Sequence, residues 1–140
     1  MTPEQVQIIK STFAAVIKDK VKVGLLFYDR LFTIAPDTKP LFKNDLAEQS
    51  RKLMDTLALA IGMLRDMPTL VTTLEGLARR HVAYGVKDEH YDQVGAALLW
   101  TLEQGLGSAF TPQAKEAWAA LYGTAAKVMR DAAKAGPKPA

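Results

Sequence analysis

Cysteine is missing from the 140-residue chain, and its absence removes several chemistries together. Disulfides, iron–sulfur clusters, thiolate zinc sites, cysteine nucleophiles and covalent haem attachment through C-x-x-C-H are all excluded. Long apolar runs are missing too: nothing approaches the roughly 20 residues that span a bilayer, so no membrane association is expected. The start, Met1-Thr2-Pro3-Glu4, turns polar at once in place of a basic segment followed by an apolar one. No secretion signal is read there, and a soluble cytoplasmic protein is expected. No stretch alternates polar and apolar residues with a period of two, which argues against strands. The phosphate loops G-x-x-x-x-G-K-[ST] and G-x-G-x-x-G, the metal motif H-E-x-x-H and the serine elbow G-x-S-x-G do not occur. Histidine is scarce, with only His81 and His90, nine residues apart. On a helix that spacing is half a turn out of phase, so the two are not expected to share a metal.

Charge of one sign is also lacking. Lys and Arg number 18 against 15 Asp and Glu, leaving +3 and a pI near 9.2. The basic residues are scattered among the acidic ones, a solvated surface and not a nucleic-acid footprint. The length suits one domain able to bury a core without staples.

What remains is helical periodicity almost throughout. Thr2-Pro3-Glu4-Gln5 reads as a capping box with proline at the first helical position, opening a helix to about Lys20. A second helix is expected from about Val21 to Ala35, with Gly24, Phe27, Tyr28, Leu31 and Phe32 on one stripe. Pro36 and Pro40 bracket a short turn-like helix ending at Leu41-Phe42, because proline is comfortable only where a helix begins. After Lys43-Asn44-Asp45, a long helix is expected from Leu46 to Leu64, its inner face carrying Gln49, Leu53, Leu57, Ala60, Ile61 and Leu64. Pro68 opens the next, with Leu70, Leu74, Leu77, Ala78 and His81 on one side and a stop near Gly85. Two more run from Asp88 to Leu106 and from Thr111-Pro112 to about Lys134. Residues 135–140 read as a disordered tail after a 1–134 domain. The result is an all-α fold of about seven unequal helices, with no repeat that would suggest a solenoid.

His81 continues an apolar stripe although Arg79 and Arg80 immediately precede it, so the helix turns its arginines outward and this imidazole inward. From the residues alone it is either a core histidine satisfied by a backbone carbonyl or a ligand-presenting one. An imidazole near a helix C-terminus can donate Nδ1–H to the preceding turn and leave Nε2 free for a metal. Tyr28 and Gln49 are further polar groups on otherwise apolar stripes.

Six segments occur in a telling order: Phe27-Tyr28-Asp29-Arg30-Leu31-Phe32; Ala35-Pro36 with Leu41-Phe42; Gln49-Ser50-Arg51-Lys52-Leu53; Ala78-Arg79-Arg80-His81-Val82-Ala83-Tyr84-Gly85-Val86; His90-Tyr91-Asp92-Gln93-Val94-Gly95; and Glu116-Ala117-Trp118 to Tyr122-Gly123. Together they resemble the globin domain of bacterial flavohaemoglobins and the single-domain, neuroglobin-like bacterial haemoglobins, over about residues 4 to 130.

The resemblance implies a globin fold around a non-covalent haem b, iron protoporphyrin IX, with His81 as proximal iron ligand and Phe42 stacked on the porphyrin. Tyr28 and Gln49 match the distal pair that meets a diatomic ligand, O2, NO or CO, and Leu53 the apolar wall beside them. Lys52 and Arg80 become the partners of the propionates. Val86, Tyr91 and Val94 line the proximal side, and Leu57, Leu77 and Leu98 are apolar contacts. Gly24 and Ser50 match small residues at a close helix crossing. In flavohaemoglobins a tyrosine and a glutamate support the proximal histidine; Tyr91 matches the tyrosine, whereas Gln113 is read at the glutamate's place.

Two functions follow from the resemblance: reversible oxygen binding for transport or scavenging, or nitric oxide dioxygenation with a separate reductase. The chain is expected to act as a monomer or weak homodimer. A cofactor-free helical module is the alternative without a metal.

Overall fold

The computed structural model describes residues 1–42 and 45–135. Among them are six α-helices: α1 (Pro3–Val16), α2 (Lys20–Ile34), α3 (Leu46–Gly62), α4 (Met67–Ala83), α5 (Asp88–Leu106) and α6 (Pro112–Ala135). Single 3-10 turns adjoin α1 and α5, and a 3-10 segment at Pro36–Leu41 joins α2 to the approach of α3. The expected turn-like helix is this proline segment. Of the tail expected over 135–140, Ala135 closes α6, and residues 136–140 lie outside the described residues.

The helix starts follow local hydrogen-bond chemistry. In α1 the Gln5 amide N–H donates to Thr2 Oγ1 at 3.1 Å and the Thr2 N–H to Gln5 Oε1 at 3.0 Å, which closes the capping box. The first helix is shorter than the periodicity suggested. Asp19 accepts from the Lys22 N–H at 3.1 Å and so starts a new helix where the apolar pattern alone runs on. Asp45 and Asp66 cap α3 and α4 in the same way.

Packing divides the helices into two pairs over a common base. The α3 helix lies on α2, and α4 lies on α6, while α2 with α5 and α1 with α6 tie the base together. The α2–α3 crossing is close: a Cβ on Gly24 would fall 2.7 Å from the Ser50 Cα, so only glycine fits. Trp118, wholly buried in α6, packs its ring against Phe13 at 6.2 Å between centroids and donates its indole N–H to Thr12 Oγ1 at 2.9 Å.

On α3 the expected inner face is two stripes. Ser50, Met54 and Ile61 are the buried residues of the helix, whereas Gln49, Leu53, Leu57 and Ala60 are half-buried beside them. The second stripe is half-buried because it faces a cavity and not another helix.

Candidate functional site

With α3 held by α2 and α4 by α6, the two upper helices make little contact with each other. A cavity of about 550 Å³ opens between them. Close-packed interiors hold few voids larger than a water, so an apolar space of this size is a candidate ligand site.

His81 enters the cavity wall from the last turn of α4, half-buried. Gly85 terminates that turn at φ +95°, with its N–H on the Val82 carbonyl and the Val86 N–H on the His81 carbonyl, both at 3.0 Å. This Schellman arrangement ends the helix one turn beyond the imidazole and fixes its height along the axis. The His81 Nδ1–H donates to the Leu77 carbonyl at 2.8 Å, which leaves Nε2 without a hydrogen bond among the described residues. Burial lowers the proton affinity of the ring below its ordinary value; the Leu77 bond opposes this and the Arg80 charge adds to it. The imidazole is thus held neutral with one nitrogen lone pair free, the state a metal requires.

Tyr28 reaches the cavity from α2 and is only 2% exposed. Its ring meets Phe42 edge-on at 4.9 Å and Phe27 at 5.0 Å. Burial pushes its hydroxyl up to about 12, against a hydrogen bond from Gln49 that favours the ionised form, so the group stays a protonated donor at neutral pH. Gln49, Leu53 and Leu57 line the same cavity from α3, Phe42 from the end of the proline segment, Leu77 from α4, Val86 from the corner after it, and Tyr91, Val94 and Leu98 from α5. Lys52 and Arg80 stand exposed at its rim. Asp55 shares the rim with its carboxylate on Lys20 at 2.7 Å, Lys52 lies 3.8 Å from Glu48, and Arg80 is the rim cation without an ion pair among the described residues. Every residue expected to ligate the iron, meet the gas or contact the haem therefore reaches one cavity.

One assignment is corrected. Gln113 is exposed in the first turn of α6 and does not touch the cavity, whose α6 wall begins with Trp118. The α6 residues beside Tyr91 are Tyr122, whose hydroxyl donates to the Tyr91 carbonyl at 2.6 Å, and Arg130, whose guanidinium lies 5.5 Å from the ring centroid. Arg130 is held in turn by Asp88 and Asp92. No carboxylate hydrogen-bonds His81 among the described residues. The sequence reading also missed Trp118, Leu121, Tyr122, Ala125, Ala126 and Met129 as cavity wall, although their i, i+3, i+4 spacing along α6 was the signal.

His90 was also passed over. It is 4% exposed, lines the cavity, accepts the Lys87 N–H on Nδ1 at 2.9 Å and lies 3.2 Å by Nε2 from Asp37 Oδ2. Glu89 completes a group of potential metal ligands there. Because Nδ1 accepts, Nε2 carries the proton, and a metal on Nε2 would force two N–H groups together. The arrangement is a hydrogen bond to Asp37, not a preformed metal centre.

The sequence profile of the globin family matches residues 25–129. The chain belongs to the globin family. Among its relatives, the neuroglobin of Chaenocephalus aceratus is 30% identical and aligns with 83% of this chain and 82% of its own. A flavohemoprotein of Vibrio cholerae is 31% identical over 94% of this globin, which spans 34% of that protein's length. Among solved structures, a bacterial globin from Campylobacter jejuni superposes with a TM-score of 0.82 at 31% identity, covering 96% and 97% of the two chains. A hexacoordinated haem protein from a tardigrade superposes at 0.86 with 17% identity, which speaks for the fold.

Membership of the family implies a haem, and the cavity fits one. Its wall is chiefly apolar, its volume is of cofactor size, a neutral imidazole offers a free Nε2, and two cationic side chains stand at the rim. No helix of the described residues is long and apolar enough to cross a membrane.

Proposed function

We propose that this globin binds haem b non-covalently through His81 and takes up diatomic gases reversibly, oxygen first among them. The observation that carries the reading is the pairing of a neutral, Leu77-anchored imidazole from α4 with a buried phenol and an amide from α2 and α3, all on one cavity. When bound, haem would supply an iron centre able to take up O2, NO or CO. The chain supplies the rest. His81 offers Nε2, Tyr28 and Gln49 offer O–H and N–H to a ligand whose outer atom carries partial negative charge, and Leu53 keeps water from the same space. Phe42, Leu57, Leu77, Val86, Tyr91, Val94 and Leu98 would pack against the porphyrin, and Lys52 and Arg80 would meet the propionates. Two donors favour tight binding and slow release. The globin would work as a monomer or weak homodimer in the cytoplasm.

Protein from haem-replete cells is expected to be red, with an intense Soret band. His81→Ala should lose the pigment or change its axial-ligand spectrum; a variant that keeps the wild-type spectrum would overturn the reading.

A second reading is nitric oxide dioxygenation, in which nitric oxide, dioxygen and one electron from a separate reductase give nitrate. The likeness to a flavohemoprotein favours it. The neutral carbonyl behind His81 favours the carrier, because an imidazole without a carboxylate partner donates less electron density. Sustained nitrate formation with an added reductase would decide for the enzyme, and a single turnover ending in ferric protein for the carrier.

A further inference from the structure

We propose that the Asp37–His90 hydrogen bond is a latch closing one corner of the cavity, so that Asp37 and His90 govern how long the cofactor is retained. The inference rests on the haem-binding reading above and concerns residues with no part in iron ligation or gas binding.

The cavity owes its size to the slight contact between α3 and α4, so its closure depends on the corners. At one corner the proline segment, which leads to Phe42, approaches the start of α5, which carries Tyr91. The His90–Asp37 hydrogen bond crosses there, joining residues 53 apart in sequence. Just before α5, Leu41 comes near Gly85, its methyl carbon 3.5 Å from where a Cβ would stand, an approach with no directional hold.

The latch is built to have a single orientation. The Lys87 N–H donates to Nδ1 and fixes both the ring plane and the tautomer, so Nε2–H is the donor presented to Asp37. The ring is 4% exposed and forms part of the cavity wall, whereas the Asp37 side chain is 60% exposed. Opening the corner therefore strips a buried N–H of its partner while the carboxylate turns to water. An unpaired buried donor is the costlier half of a broken hydrogen bond. Asp37 acts through His90 and is a positioning residue.

The test is the rate of haem transfer from the ferric holoprotein to an excess of an apo-globin acceptor, followed by absorbance. Asp37→Ala should accelerate loss about fivefold, equivalent to about 1 kcal/mol. Asp37→Asn, which keeps an acceptor oxygen, should stay near the wild-type rate. His90→Phe keeps the ring volume but cannot bond. In that background Asp37→Ala should add nothing, the signature of coupling between the two side chains. The axial-ligand spectrum should be unchanged throughout. A wild-type rate for Asp37→Ala, or an undiminished effect of it beside His90→Phe, would overturn the latch. Failure of the wild-type chain to take up haem at all would instead overturn the haem-binding reading.

Discussion

Tyr28 and His81 show how burial can tune opposite ends of the pH scale for one task. The phenol, with its affinity for a proton pushed up to about 12, remains a donor under all physiological conditions. If Tyr28 donates to the gas as proposed, oxygen dissociation from Tyr28→Phe measured by stopped flow should speed up by roughly tenfold; an unchanged rate would remove Tyr28 from the distal side. For His81 the sign runs the other way. Its folded proton affinity lies below the ordinary 6.5, so as pH falls the unfolded chain takes up the proton first. The apoprotein should keep its full stability above about 6.5 and lose part of it below, a slope that His81→Leu should abolish in denaturant titrations. Both residues were visible in the sequence as polar groups on apolar stripes. His90 was not, because its meaning depends on Asp37, and a contact across 53 residues leaves no local pattern.

Elements were legible wherever a boundary is a local event. The Thr2 capping box, the proline-bracketed segment and the glycine stop after His81 each involve groups within a few residues of one another. The two stripes of α3 were not separable, since periodicity marks a face as apolar without saying whether a helix or a cavity lies against it. At the α2–α3 crossing, Gly24→Ala gains about 1 kcal/mol in helix propensity. The new methyl would meet Ser50 down to its backbone, so net destabilisation of about 1–3 kcal/mol is expected from urea unfolding. Ser50→Gly should rescue only part of it, because the Cα remains in the way. Between α1 and α6, Thr12→Val keeps the shape but leaves the Trp118 N–H unpaired in the core, and should cost about 1–3 kcal/mol.

Across the whole molecule, the base formed by α1, α2, α5 and α6 is packed on itself, and α3 and α4 each rest on it by one side. The apoprotein should consequently exchange the amides of α3 and α4 faster than those of α1 and α6, and cofactor should slow them most. Equal protection of all six helices before and after reconstitution would contradict this division. Its wall also contains Trp118, while the chain's other tryptophan, Trp100, is only half-buried with Arg30 stacked over it at 5.0 Å. One indole thus borders the cavity proposed for the pigment and the other is half-exposed. Excitation energy from Trp118 would drain into an adjacent porphyrin, so the filled protein should be dim and the emptied one bright at short wavelength. The fold carries its own lamp for reading occupancy, with no dye attached.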